Sequence, residues 1–331
     1  MAYKINSMKN KEVLVLGGLG AIGSNVVHKA LELKANVTNY DCLLPNSGAN
    51  LINIGDIKDQ INDVRADVRD FDTLKEHIQN KDFIFNCVAQ TSHIESMNDP
   101  LLDIDINCRG QINILEAVRQ FNPNAKVIYT GTRGQHGSMI FKPVDENHPD
   151  NPTDIYSANK LVGENYHLIY HKVHDLKTTS IRLPNVFGPR AEITNPKHSI
   201  VNLLIGNALL DKTTTVFEPG LQTRDCCYVD DAIDALFLCA QKEESNGEVF
   251  LIGSGKEIAF VDLVKLIIDI AGKGEWKFVP WPETMKKIET GDFFINYDKI
   301  NKKLGWEPKN TLEEGIQKTI NFYEKRLEKY I

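Results

Sequence analysis

The chain has 331 residues, room for one large or two medium domains around a sizeable buried core. Its hydrophobic (42%) and charged (25%) fractions are those of a globular protein, and a net charge of −7 without a basic stripe argues against a nucleic-acid partner. No segment reaches about 18 apolar residues, and Met1 to Asn10 contain no apolar signal core, so no membrane partner is expected and the cytoplasm is the expected location.

The first strong element is the apolar run Val13-Leu14-Val15-Leu16, which reads as a buried strand. It feeds directly into Gly17-Gly18-Leu19-Gly20-Ala21-Ile22-Gly23 and a helix marked by Ile22, Val26, Val27, Ala30 and Leu31. In that setting Gly17 permits a tight turn, Gly20 lets the backbone approach a pyrophosphate, and Gly23 lets the helix pack closely on the strand. The amides that open the helix, at Ala21 and Ile22, then face the phosphates together with the positive end of the helix dipole. The next strand, 36–41, ends on Asp41, 18 residues past Gly23. A carboxylate there accepts hydrogen bonds from the adenosine ribose and repels a 2′-phosphate, so NAD is expected rather than NADP.

Further along come a short strand near 63–68, a helix near 71–79, a strand at 83–88 and a helix over about 101–121. A strand at 126–130, a loop, a helix carrying Tyr156 and a strand at 178–183 follow. This alternation predicts an α/β fold, a Rossmann-type doubly wound parallel sheet. Ligands in such sheets bind beyond the strand carboxyl ends, and Gly17, Asp41, Asp67, Ala89, Thr132 and Asn185 all fall there. From Asn185 onward proline, glycine and longer loops predict a smaller α/β lobe, although 248–252 still reads as a sheet strand. The expected division is a dinucleotide-binding domain over 1–184 and 225–252, and a second lobe over 185–224 and 253–331.

Tyr156 and Lys160 sit four residues apart, on one helical face. An ammonium beside the phenol would favour the ionised form, making Tyr156 a base for a substrate hydroxyl. The six cysteines form no C-x-x-C pair and read as buried thiols, and the nine histidines lack H-E-x-x-H spacing. No metal is expected, and His167, His171 and His174 read as a solvated helix face.

Together these motifs resemble the extended short-chain dehydrogenase/reductase family, specifically its nucleotide-sugar epimerases and dehydratases, from Val13 to about Pro308. The resemblance implies that Asp67 and Val68 meet the adenine, and that the small residues ending the fourth strand (Val88, Ala89, Gln90) pass the cofactor. Asn107 of Asn107-x-x-Gly110 matches a characteristic helix position and is placed with the cofactor residues. Thr132 falls on the catalytic Ser/Thr position, and Arg133 introduces a charge beside the sugar. Arg182 to Arg190 is similar to the segment carrying a substrate-contacting asparagine, here Asn185. Arg224-Asp225-x-x-Tyr228-Val229-x-Asp231 resembles the segment that grips a nucleoside diphosphate, and Gly291-Asp292 matches the C-terminal pattern without its preceding arginine, since Ile288, Glu289 and Thr290 stand there.

The implied substrate is a nucleoside-diphosphate sugar. Tyr156 as phenolate takes a sugar hydroxyl proton at C4, Thr132 relays a hydrogen bond, and Lys160 lowers the tyrosine pKa and holds the nicotinamide ribose. Dehydratases place a glutamate just beyond the catalytic Ser/Thr; here Arg133 and Gly134 stand there, which argues for a 4-epimerase. A 4-dehydrogenase that releases the 4-ketosugar is the alternative, with a 4,6-dehydratase and a non-catalytic dinucleotide sensor behind it. Relatives pair through two helices, so a homodimer is expected through those beginning near Leu101 and Asp154. Ile112, Leu115, Ala117, Val118, Leu161, Val162, Leu168 and Ile169 would supply its apolar material.

Overall fold

The computed structural model describes residues 3–283, 286, 289 and 291–331; Ile288 and Thr290 of the missing-arginine segment lie outside them. Strands β1 (Glu12–Leu16), β2 (Asn36–Tyr40), β3 (Asn62–Val64), β4 (Phe83–Asn86), β5 (Lys126–Thr132) and β6 (Lys177–Leu183) alternate with helices. They join one further strand, Glu248–Leu251, in a seven-stranded parallel sheet ordered (Glu248–Leu251)-β6-β5-β4-β1-β2-β3. The order reverses between β1 and β4, and a reversal of this kind opens a crevice at the carboxyl edge. The apolar runs explain the layering: Val13, Val15, Phe85 and Ile128 face one helical layer, while Leu14, Leu16, Ile84 and Val127 face the other.

Helix α1 (Ala21–Glu32) covers the first face, and α2 (Phe71–Ile78) and α5 (Gly110–Phe121) cover the second. The third strand stops at Val64, short of the expected 63–68, because the next residues turn. Asp67 accepts the Arg69 amide at 2.8 Å, and Asp70 caps α2 through Thr73. The helix expected over 101–121 is broken into α4 (Pro100–Ile104), a π turn (Asp105–Arg109) and α5. The π turn carries Asn107, whose amide clasps the backbone of Gln90 at 3.2 and 3.0 Å. Helix α6 (Ile155–His174) carries Tyr156 and Lys160, and Glu164 on the same helix takes Arg182 of β6 at 3.2 Å, fixing the helix to the sheet.

Several surface expectations change. His167 is buried, stacked on Tyr129 at 4.5 Å, and only His174 of the three histidines is exposed. Cys42 is exposed, whereas Cys226, Cys227 and Cys239 are buried. Leu115, Ala117 and Val118 are wholly buried against the sheet and leave no surface for a partner. Outside that sheet, β7 (Asn185–Phe187) pairs with Cys226–Tyr228, and Thr223–Arg224 with Ile258–Ala259. Among the described residues, no helix is long and apolar enough to cross a membrane.

Candidate active site

A cleft of about 1450 Å³, its open mouth included, lies along the carboxyl ends of β1, β2, β4 and β5. Its floor is the glycine loop. Gly17 takes φ +78°, and a side chain there would meet the Cys87 carbonyl carbon at 2.9 Å, so the turn and the neighbouring strand both require glycine. Gly20 is different: an added Cβ would meet only the Gly17 oxygen, at an ordinary 3.5 Å. Nothing in the packing forbids a side chain at 20, so the bare backbone there serves the cleft. Gly20 is also the N-cap of α1 and offers no side-chain cap, leaving the first amides of the helix, at Ala21 and Ile22, open to a ligand.

Asp41 lies in the same cleft at the end of β2, nearly buried. Each of its oxygens takes one backbone amide, Leu19 at 3.0 Å and Leu43 at 2.8 Å, which aims the carboxylate and leaves lone pairs for ribose hydroxyls. Burial raises its pKa, against those two amides and Arg65. Asp67 and Val68 form a further wall, Asp67 gripped by Arg69 through paired 3.0 and 2.6 Å bonds. Val88 and Ala89 line the cleft, while Gln90 turns inward to the Ser92 amide at 2.7 Å. Asn107, held on Gln90, therefore shapes this edge from behind rather than facing a ligand.

At the other end Thr132, Tyr156 and Lys160 all line the cleft. Thr132 closes β5; its amide donates to Gln135 Oε1 at 2.8 Å and its hydroxyl accepts the Gly134 amide at 3.3 Å. Burial raises the Tyr156 phenol above its ordinary value; the Thr132 hydroxyl bond opposes this, the Asp154 and Asp103 charges add to it, and Arg133 lowers it. Lys160 is 1% exposed, and its amine is buried with no hydrogen-bond partner among the described residues. It sits 4.1 Å from the centre of the Tyr129 ring, and burial lowers its pKa to about 7. Burial is thus the largest influence on the Tyr156 phenol, and the Lys160 amine lies over the Tyr129 ring. An orphaned buried amine, bare backbone at Gly20 and a shaped carboxylate at Asp41 fit the hydroxyls and phosphates of a dinucleotide.

Beyond Thr132, Arg133 donates from Nε to Asn185 Oδ1 at 3.1 Å and lies 5.2 Å from the Phe293 ring centre. Burial, then the nearby Arg224, lower its pKa to about 10. Asn185 Nδ2 is buried without a partner among the described residues. Arg224 is paired to both oxygens of Glu289, at 2.8 and 3.0 Å, and donates to the Gly291 carbonyl at 2.8 Å. Asp292 takes the Thr223 amide at 2.9 Å, so it braces the same corner. A side chain at Gly134 would overlap the Ser157 hydroxyl.

Sequence reading missed the residues that place these groups. Asp154 accepts the Ser157 amide at 2.8 Å as N-cap of α6, a role its position ahead of an apolar-periodic run signals. His93, whose Nδ1 lies 2.7 Å from Asp154, and Gln135, which clasps Thr132, carry no local signal.

A sequence profile of the NAD dependent epimerase/dehydratase family matches residues 13–253. The chain is 31% identical over 315 residues to a UDP-glucose 4-epimerase of Mycolicibacterium smegmatis, covering 94% of this chain and 97% of that one. It superposes with TM-score 0.86 and 28% identity on a UDP-glucose 4-epimerase of Thermotoga maritima solved with UDP-glucose, over 96% of this chain and 99% of that one. A dTDP-glucose 4,6-dehydratase of Bacillus anthracis solved with NAD gives TM-score 0.84 at 28% identity, over 96% and 98% of the two chains.

Proposed function

The chain belongs to the NAD dependent epimerase/dehydratase family, and on that premise we propose that it is a nucleotide-sugar 4-epimerase. The observation that carries this choice is Gly134. Elimination across C5 and C6 needs an acid/base beside the 4-ketosugar, and relatives that dehydrate place it just past the catalytic Ser/Thr. Here that ground holds Arg133, turned onto Asn185, and Gly134, which carries no side chain and whose added Cβ would displace the Ser157 hydroxyl. With no such group, what is left is C4 oxidation, followed by reduction on the other face of the ring or, in a dehydrogenase, by release of the ketosugar.

Gly20, the Ala21 and Ile22 amides, Asp41 and Lys160 would hold NAD, which would supply the acceptor and donor for the hydride of the sugar's C4. Tyr156 takes the proton from O4 and gives it back, with the Thr132 hydroxyl steadying the phenolic oxygen. The buried phenol resists ionisation by itself, so cationic charge brought next to it by the cofactor would link binding to activation of the base. Asn185, Arg133 and Arg224, in the smaller lobe and at its border, would take the sugar and diphosphate. Binding energy from the diphosphate would orient the sugar for transfer.

The named activities of the two epimerase relatives make UDP-hexoses the first substrates to test. Purified enzyme incubated with UDP-, GDP-, CDP- and dTDP-sugars should invert C4 without net cofactor turnover. Release of a 4-ketosugar with stoichiometric NADH would identify the dehydrogenase instead, and a 4-keto-6-deoxy product would overturn the argument from Gly134. A homodimer fits the same reading. Its surface is carried by Leu101 (74% exposed), Met97, Ile104, Ile169 and Val173, and a monomeric mass by light scattering would remove it.

A further inference from the structure

One aromatic group beside the catalytic tyrosine has no part in the scheme above. His93 opens helix α3 (His93–Asn98), and its ring stands edge-on to Tyr156, with centroids 5.0 Å apart and planes at 83°. Its Nδ1 lies 2.7 Å from Asp154 Oδ2. Asp154 has a second task, because the same carboxylate caps α6 through the Ser157 amide at 2.8 Å and the Ser157 hydroxyl at 3.1 Å. A carboxylate is a strong helix cap, yet here it sits two residues from a phenol that must lose a proton. On its other side His93 fills the space next to Gly134: its Cε1 would lie 3.5 Å from a Cβ added there.

We propose that His93 is a positioning residue for Tyr156, packing edge-on against the phenol while its bond to Asp154 offsets the capping carboxylate's charge. The inference rests on Tyr156 being the base. Among the described residues, charge acts on Tyr156 from Asp154 at the cap of its helix, Asp103 of α4 and Arg133 of the turn after β5, with Lys160 one helical turn along. Asp103 is already engaged by Asn107 at 3.0 Å and Asn159 at 2.8 Å. Asp154 acts more strongly on the phenol than Asp103 does, and without His93 it would keep only its two Ser157 donors. Asp154 itself shows the pairing: burial raises its pKa, but the His93 bond and charge, with the Ser157 donors, bring it below the ordinary value.

The test is the pH dependence of kcat/KM for C4 inversion, whose acid limb reports the base in free enzyme. His93→Phe keeps a ring against Tyr156 and removes the bond to Asp154. Its acid limb should move to higher pH by about one unit, a roughly tenfold loss on that limb, with the Kd for NAD unchanged. Asp154→Asn retains a capping side chain and should move the limb to lower pH, and adding His93→Phe to it should cause no further shift. A His93→Phe limb at the wild-type pH, or an equal loss at every pH, overturns the inference; so does a full shift persisting in the double variant. Tyr156→Phe in parallel separates the two layers. If it stays active, the base assignment itself fails, whereas an inactive Tyr156→Phe beside an unshifted His93→Phe rejects His93 alone.

Discussion

Replacing Lys160 with methionine should make the cofactor-free protein more stable while removing its activity. The amine is almost fully enclosed and unpartnered, and burial takes its pKa from 10.5 to about 7. Each pKa unit corresponds to about 1.4 kcal/mol, so holding a protonated amine there costs on the order of 3–5 kcal/mol. The contact with the Tyr129 ring, 4.1 Å away, is worth about 1–2 kcal/mol and would be lost. A net gain of about 1–4 kcal/mol remains, or roughly 2–6 °C in Tm for a chain of this size. The sign follows from proton linkage. Between pH 7 and 10.5 the unfolded chain binds this proton and the folded chain does not, so the wild type gains stability as pH rises through that window. The gap between Lys160→Met and wild type should be complete below about pH 7 and close toward pH 10.5. Scanning calorimetry of both proteins across pH measures it, and adding NAD should raise the wild-type Tm more than the variant's. A variant Tm at or below wild type at pH 6–7, or a gap constant with pH, would refute the reasoning.

Asp41→Asn removes the charge that repels a 2′-phosphate while one amide bond survives; titration should show NAD binding about tenfold weaker and NADP binding gained. Gly134→Glu should give no dehydratase product and should lower stability by about 1–3 kcal/mol through overlap with Ser157, a loss that a second change, Ser157→Gly, relieves in thermal melts. Glu289→Gln releases Arg224 from its 2.8 Å ion pair and should tighten UDP binding by about three- to tenfold in calorimetry. Weaker UDP binding in that variant would remove Arg224 from the diphosphate site.

How much was legible depended on the range of the interaction. The strand-glycine-helix start, the acidic end of β2 and the Tyr156/Lys160 face are encoded within a few residues, by period, turn chemistry and i,i+4 spacing. The structure places all of them on one cleft. The helix over 101–121 was visible as a helix, but its π turn was not, because that irregularity is held by the distant Gln90 backbone. His167 looked solvated for the same reason: its helix neighbours are polar, and the Tyr129 ring that covers it comes from β5.

A doubly wound sheet, a glycine-rich turn into a helix and a tyrosine and lysine on one helical face follow from the amino-acid order alone, since each is written in patterns among near neighbours in the chain. Where charge ends up is set by the folded chain. Burial keeps the Tyr156 proton on and weakens the Lys160 ammonium, Glu289 claims Arg224, and Ser157 closes the ground beside Gly134. Those outcomes depend on desolvation and on partners tens of residues apart, and no local pattern carries either.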